Sequence, residues 1–133
     1  MNEIITCIEN LRLKLEKFSK SRISEAETKV AFINPLLRSL GWDPADQDEV
    51  RLEYLIFAGK FVDYALKINQ EVRLFIEAKP LQNPLRDEKP IGQVISYAAT
   101  AGVKWCILTN GIVYKVFCTT EKGPAPEKLL YEV

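Results

Sequence analysis

Histidine is absent from this 133-residue chain, and that absence removes several chemistries at once. Ser-His-Asp and Cys-His nucleophilic machinery, histidine-metal nucleases and histidine-containing zinc sites all need an imidazole. Cysteine is scarce: Cys7, Cys106 and Cys118 share no Cys-x-x-Cys spacing. Neither a zinc knuckle nor a disulfide framework fits, so all three are expected as small core hydrophobes in a reducing compartment. No apolar run approaches the roughly 18 residues of a membrane span. No basic segment followed by an apolar stretch opens the chain, so a cytoplasmic protein with no membrane partner is expected. There is no Gly-x-x-x-x-Gly-Lys-Ser/Thr phosphate loop, hence no ATP site and no ATP-driven motor in this chain. An excess of charge is missing too, because eighteen Lys+Arg balance eighteen Asp+Glu. A non-specific nucleic-acid binder usually carries a basic surplus, so any contact of that kind falls to a local basic strip.

What remains is ordinary globular stock, 47% hydrophobic and 27% charged, in a length that suits one domain over residues 1–133. Within residues 1–20, the stretch 2–19 has Ile4, Ile8, Leu11, Leu15 and Phe18 at alternating spacings of four and three. That stripe predicts an amphipathic helix packed on the domain's own core. A second helix begins with a capping box, Ser24 as N-cap and Glu27 as the residue that reaches back. It runs through Leu37 towards Gly41, and Pro35 in its middle predicts a kink or a broken turn. Three strands follow: Val50 to Tyr54, Lys60 to Ile68 and Val72 to Ala78. The last of these is apolar on both faces, as a central strand should be. Pro80 to Pro90 is expected as a loop, Ile91 to Ala101 as a helix, and Trp105 to Leu108 and Val113 to Phe117 as strands joined at Asn110-Gly111. Gly123 to Pro126 is expected as a loop before a last short strand, Leu129 to Val133. Helix–helix–three strands–helix–two strands predicts an α/β (mixed α+β) fold, a mixed central sheet flanked by helices.

The placement of acids carries the chemistry. Asp63 lies in Phe61-Val62-Asp63-Tyr64-Ala65-Leu66, and Glu77 and Lys79 lie in Phe75-Ile76-Glu77-Ala78-Lys79. An acid among residues that favour burial needs a cation. Glu77 and Lys79 are two apart on a strand and share a face. If the second and third strands pair as a hairpin, Asp63 approaches that face. Two carboxylates and an ammonium there suit magnesium-assisted phosphodiester hydrolysis, with the acids holding the metal and the lysine serving water or phosphate. Each residue also has a plainer role. Glu27 can be a cap alone, Asp63 an edge-strand acid, Glu77 and Lys79 a structural ion pair, and Gln93 and Tyr97 a solvated position and a core aromatic.

Thirteen residues separate Asp63 from Glu77-Ala78-Lys79, which resembles the PD-(D/E)xK nuclease signature, with Val62 standing where the signature has proline. The wider frame is more specific. Glu27, Phe32-Ile33-Asn34-Pro35-Leu36-Leu37, Leu40-Gly41-Trp42-Asp43, Val62 to Leu66, Ile76 to Pro80, Gln93 to Tyr97 and Leu108 to Gly111 occur in order. Together they resemble the N-terminal nuclease domain of the type I restriction enzyme R subunit, over a core of residues 24–118. The resemblance implies a restriction-endonuclease-like core and a Mg2+-dependent endodeoxyribonuclease, with Mn2+ as an alternative ion. It implies metal ligation by Asp63, Glu77 and the Ala78 carbonyl, with Glu27 acting through water, and catalysis by Asp63, Glu77 and Lys79. Gln93 and Tyr97 match the Q-x-x-x-Y motif that positions DNA in nuclease domains coupled to helicase motors. Lys60, Arg86 and Lys89 are candidate phosphate contacts. DNA is the implied partner, with helicase, methylation and specificity subunits of a restriction complex beside it; a homodimer is left open. The competing reading is a non-catalytic module that keeps the fold and docks DNA or a protein.

Overall fold

The computed structural model describes residues 2–18, 20–120 and 129–132. Helix α1 (Asn2–Phe18) precedes a second helical segment built of α2 (Glu25–Thr28), a π-helical turn (Lys29–Ile33) and α3 (Asn34–Ser39). Strands β1 (Val50–Phe57), β2 (Lys60–Ile68) and β3 (Glu71–Ala78) lead into α4 (Glu88–Thr100). Strands β4 (Trp105–Thr109), β5 (Tyr114–Cys118) and β6 (Leu129–Glu132) complete a six-stranded sheet in the order β1-β2-β3-β4-β5-β6. Strands β3 and β4 are parallel and all other neighbours antiparallel, so α4 is the crossover that parallel pairing requires.

Adjacent residues of β3 point to opposite faces, and both faces are covered. Phe75 joins Ala65, Leu108 and the inner side of α4 (Ile91, Val94, Ile95, Ala98) in one core. Ile76 joins Tyr64, Leu66, Ile33 and Leu37 in the other, under the π-turn and α3. A smaller cluster, Ile23, Phe32 and Leu81, receives Leu11, Leu15 and Phe18 of α1. The stripe on α1 is therefore used in its C-terminal half, while Ile8 stays 52% exposed.

Pro35 breaks the second helix as its chemistry predicts. It has no N–H to donate to the Ala31 carbonyl one turn back. Lys14 Nζ of α1 donates to that carbonyl instead, at 2.9 Å. The chain upstream of Pro35 widens into the π-turn, which carries Lys29 at its start. Two expected boundaries move. β1 continues to Phe57 rather than ending at Tyr54, because the apolar run persists to a tight turn at Ala58-Gly59, where Gly59 has φ +71°. Helix α4 starts at Glu88, since Pro90 falls in its first turn, where an N–H has no helical partner anyway. Asp87 caps it by accepting from Lys89 N at 3.1 Å. Cys106 and Cys118 are buried as expected, whereas Cys7 is half-buried; none of the three is in a disulfide. The expected loop at Gly123 to Pro126 lies outside the described residues. Among the described residues no helix is long and apolar enough to cross a membrane.

Candidate metal and nuclease site

Strands β2 and β3 part company at Asp63. Their pairing begins at Tyr64↔Ile76 and runs away from that point, while β2 stays paired with β1 through Phe61 and Val62. Where the backbone ladder stops, two carboxylates replace it. Asp63 Oδ2 accepts from the Ala78 N–H of β3 at 2.7 Å, and Glu77 Oε1 accepts from the Asp63 N–H of β2 at 3.1 Å. Each acid binds the other strand's backbone, so the two side chains converge on one gap. The alternation of β2 also breaks here: Val62 and Ala65 both pack under α4, whereas Tyr64 and Leu66 pack under α3.

The cation at this gap is one that sequence reasoning missed. Lys29 Nζ lies 2.5 Å from Asp63 Oδ1, 3.1 Å from Glu53 Oε1 and 4.0 Å from Glu25 Oε2. Glu53 sits on β1 between Leu52↔Tyr64 and Tyr54↔Val62, level with Asp63, and has a left-handed φ of 48°. Nothing in the sequence marks that backbone outlier. Lys29 was more accessible: it is one helical turn after Glu25, and a π-turn forced by Pro35 would aim it at the sheet. Glu27, in contrast, stays out of the cluster. Its carboxylate accepts from Ser24 N at 3.2 Å while its own N–H donates to Ser24 Oγ, so the capping-box role uses it. Those bonds from Ser24 hold its pKa below the ordinary value. Glu25 is the helix acid that faces the cluster, and burial together with the Asp63 charge raises its pKa.

The charges at the gap divide unevenly. Burial, with Asp63 as neighbour, pushes Glu77 up to about 9, so it holds a proton at neutral pH. Burial would raise Asp63 as well, but hydrogen bonds from Glu77, Lys29 and the Ala78 N–H outweigh it and hold Asp63 below its ordinary value. Burial would likewise lower Lys29, and the Asp63 and Glu53 carboxylates more than offset it. Carboxyl groups at 25, 53 and 63 thus share a single ammonium at close range, and Glu77 meets Asp63 beside them. Hard oxygen donors without imidazole or thiolate suit Mg2+ or Mn2+. Among the described residues no three His, Cys, Asp or Glu form a ready-made metal cage. Mg2+ does not need one, since it keeps several waters and takes one or two carboxylates. The pair Asp63 and Glu77 fits that habit, with the Ala78 carbonyl next to Glu77 in the chain.

The other expected residues fall in different places. Lys79 follows Glu77 at the end of β3, where its N–H donates to Thr109 O at 2.8 Å. Its charge acts on both Glu77 and Glu25 without an ion pair within 4 Å among the described residues. Gln93 and Tyr97 turn to each other: Gln93 Nε2 donates to Tyr97 Oη at 2.6 Å. Tyr97 is buried edge-to-face on Phe57, ring centroids 5.8 Å apart, and neither residue bonds to Asp63, Glu77 or Lys79. Lys60, Arg86 and Lys89 are all exposed, and Lys89 lies in the first turn of α4 rather than in a loop. Thr109-Asn110-Gly111 is purely architectural. Asn110 Oδ1 accepts from Ile112 N and Val113 N, and its amide donates to Asn83 O.

A solved structure described as a fragment of an HsdR subunit of a type I restriction enzyme from Vibrio vulnificus YJ016 is similar, with a TM-score of 0.64 and 25% identity. That likeness covers 82% of this chain and 25% of that one, so the present chain spans a quarter of its relative's length. No curated protein matches. The model of the type I restriction enzyme R protein N terminus matches residues 24–130, most of the chain, with both strand acids, both site lysines and the Gln93–Tyr97 pair inside it. The chain belongs to the family of the type I restriction enzyme R protein N terminus.

Proposed function

We propose that this chain is a Mg2+-dependent endodeoxyribonuclease domain of the R-subunit kind, with Mn2+ able to replace Mg2+ and with the PD-(D/E)xK arrangement as its working core. The observation that carries the reading is the mutual engagement of Asp63 and Glu77 across the parted strands. Two acids fourteen positions apart meet because β2 and β3 form a hairpin and then open at that level. Asp63, Glu77 and the Ala78 carbonyl would hold the ion, with Glu25 acting through water. When bound, the ion polarises the phosphodiester and makes water a better nucleophile. For both carboxylates to hold the ion, Glu77 would give up to solvent the proton that burial keeps on it. Lys79 then has its ammonium free for the phosphate oxygens, where charge builds up during attack. Exposed Lys60, Arg86 and Lys89 supply phosphate contacts, and Gln93 offers an amide to the nucleotide once it leaves Tyr97. DNA is the substrate, and the helicase, methylation and specificity subunits of a restriction complex are the partners in a cytoplasmic assembly.

A net charge of zero and an Asp63 already paired with Lys29 favour a second reading, a non-catalytic docking module. Cleavage of supercoiled plasmid in Mg2+, compared between wild type and Asp63→Ala with DNA binding measured alongside, separates the two. The nuclease reading expects cleavage that Asp63→Ala loses while binding persists. No Asp63-dependent cleavage by the chain, alone or with its restriction partners, sinks it.

A further inference from the structure

We propose that Lys29 is a built-in stand-in for the metal, a positioning residue whose ammonium must move from Asp63 to Glu53 before an ion can be held. This inference rests on the metal-site reading above and adds to it a competitor within the chain. The argument begins with the oxygens of Asp63. Oδ2 is committed to the Ala78 N–H at 2.7 Å, which leaves Oδ1 as the oxygen that can turn to an ion. Lys29 Nζ holds that oxygen, at 2.5 Å. A cation and an ammonium cannot share it at that range without strong repulsion. Lysine suits such a role better than arginine, because it is a compact charge on a flexible stem and needs no fixed fork of acceptors.

Glu53 gives the ammonium somewhere to go. Its Oε1 is already 3.1 Å from Nζ, and its side chain is 66% exposed, so it can follow the ammonium outward. Glu25, 4.0 Å away, adds a second acid on the same side. The left-handed φ of 48° at Glu53 is an uncommon conformation for a residue with a side chain. Such outliers persist where their surroundings hold them. Here the residue stands level with Asp63, and its carboxylate closes on the same ammonium.

The test is Mn2+ binding to the full chain, followed by electron paramagnetic resonance of the free ion. The panel is wild type, Lys29→Met, Lys29→Gln, Lys79→Met, Asp63→Ala, and Glu53→Gln alone and combined with Lys29→Met, each checked for its fold by circular dichroism. Lys29→Met and Lys29→Gln should bind Mn2+ about tenfold tighter than wild type, since a competing unit charge at contact distance is gone. Lys79→Met, which removes an equal charge without a contact to Asp63, should tighten binding less. Glu53→Gln should weaken binding in wild type and leave it unchanged in Lys29→Met. The proposal is overturned if the Lys29 variants bind no tighter than Lys79→Met, if Glu53→Gln acts equally in both backgrounds, or if neither Lys29 variant folds. If wild type and the Lys29 variants bind no more Mn2+ than Asp63→Ala, the metal reading falls and takes this inference with it. Equal affinities at an Asp63-dependent site would sink only the role of Lys29.

Discussion

The gap between β2 and β3 and the outer turn of α4 were both expected to face the substrate, and they behave differently. At the gap, residues far apart in sequence, Lys29, Glu53, Asp63 and Glu77, come within bonding reach. On α4, Gln93 and Tyr97, four residues apart, close on each other. Strand register explains the first: once Tyr64 pairs with Ile76, Asp63 and Glu77 are level with no freedom left. Helix spacing is a weaker instruction. Four residues put two side chains on one face, but rotamers decide whether they reach outward or towards one another. A motif spread over paired strands therefore fixes a site more firmly than one along a helix.

The largest expected effect sharpens this contrast. Glu77→Ala should lower Mg2+-dependent cleavage by about a thousandfold or more, as loss of a group that serves the ion does. The far-ultraviolet circular dichroism should be unchanged. A collapse of the fold would instead make Glu77 a structural bridge to the Asp63 N–H, and the gap would be architecture like the α4 pair.

Next comes the support behind Lys29. A Cβ on Gly111, whose φ is +89°, would sit 2.9 Å from Phe32 Cβ and 3.0 Å from Thr28 Cγ2. Phe32 and Thr28 flank Lys29 on the same helical turn. Thr28 is fully buried, donates to Ser24 O and accepts from Leu81 N. Gly111→Ala should cost about 2–4 kcal/mol in urea unfolding, from backbone strain plus overpacking against a rigid helix. A neutral result would mean that the helix carrying Lys29 can shift, and that the gap is less fixed than its strand register suggests.

Much of this was legible in the sequence, and the reasons for the rest are physical. The apolar runs from Lys60 to Ile68 and Val72 to Ala78 mark β2 and β3 as neighbouring strands, so the meeting of Asp63 and Glu77 follows from register. Pro35 foretells the broken helix. Glu27 fits the capping pattern Ser24-x-x-Glu27, and the structure uses it in that way. Glu25 and Lys29 escaped because their aim depends on how far the π-turn rotates the helix, and propensities do not encode that rotation. Glu53 escaped because a left-handed φ in a strand interior has no sequence signature when the residue is not glycine.

The buried acids also set a pH dependence. Glu77 holds its proton in the folded chain up to about 9 but would release it near the ordinary carboxylate value when unfolded. The folded state thus binds more protons between those values, and stability falls as pH rises through that window. Asp63 acts oppositely, because its lowered value contributes stability at neutral pH that is lost only in acid. Glu77→Gln mimics the protonated form at every pH. Without metal it should match wild type near pH 5 and be more stable by about 1–2 kcal/mol at pH 8, allowing for solvent screening of a half-buried group. Thermal melts at the two pH values check this. A variant less stable at pH 8 would show Glu77 to be ionised and held by a cation, contrary to the charge division described here.

The smallest effects belong to α4 and test whether its pair is held in reserve for substrate. Tyr97→Phe keeps the ring that packs on Phe57 at 5.8 Å and removes only the acceptor of the Gln93 amide. Gln93 is exposed, so its amide can turn to water, and the lost bond should cost no more than about 1 kcal/mol. Cleavage by Tyr97→Phe should stay within about twofold of wild type, because Gln93 remains and no longer has to leave a partner. Gln93→Ala should lower cleavage by about tenfold, a loss of the size one hydrogen bond to substrate provides, with Mn2+ affinity unchanged. An equal thousandfold loss in Gln93→Ala and Glu77→Ala would break the comparison, because the helix pair would then belong to the site as firmly as the strand acids. Full activity in Gln93→Ala would break it the other way, leaving the pair a surface hydrogen bond that steadies the start of α4.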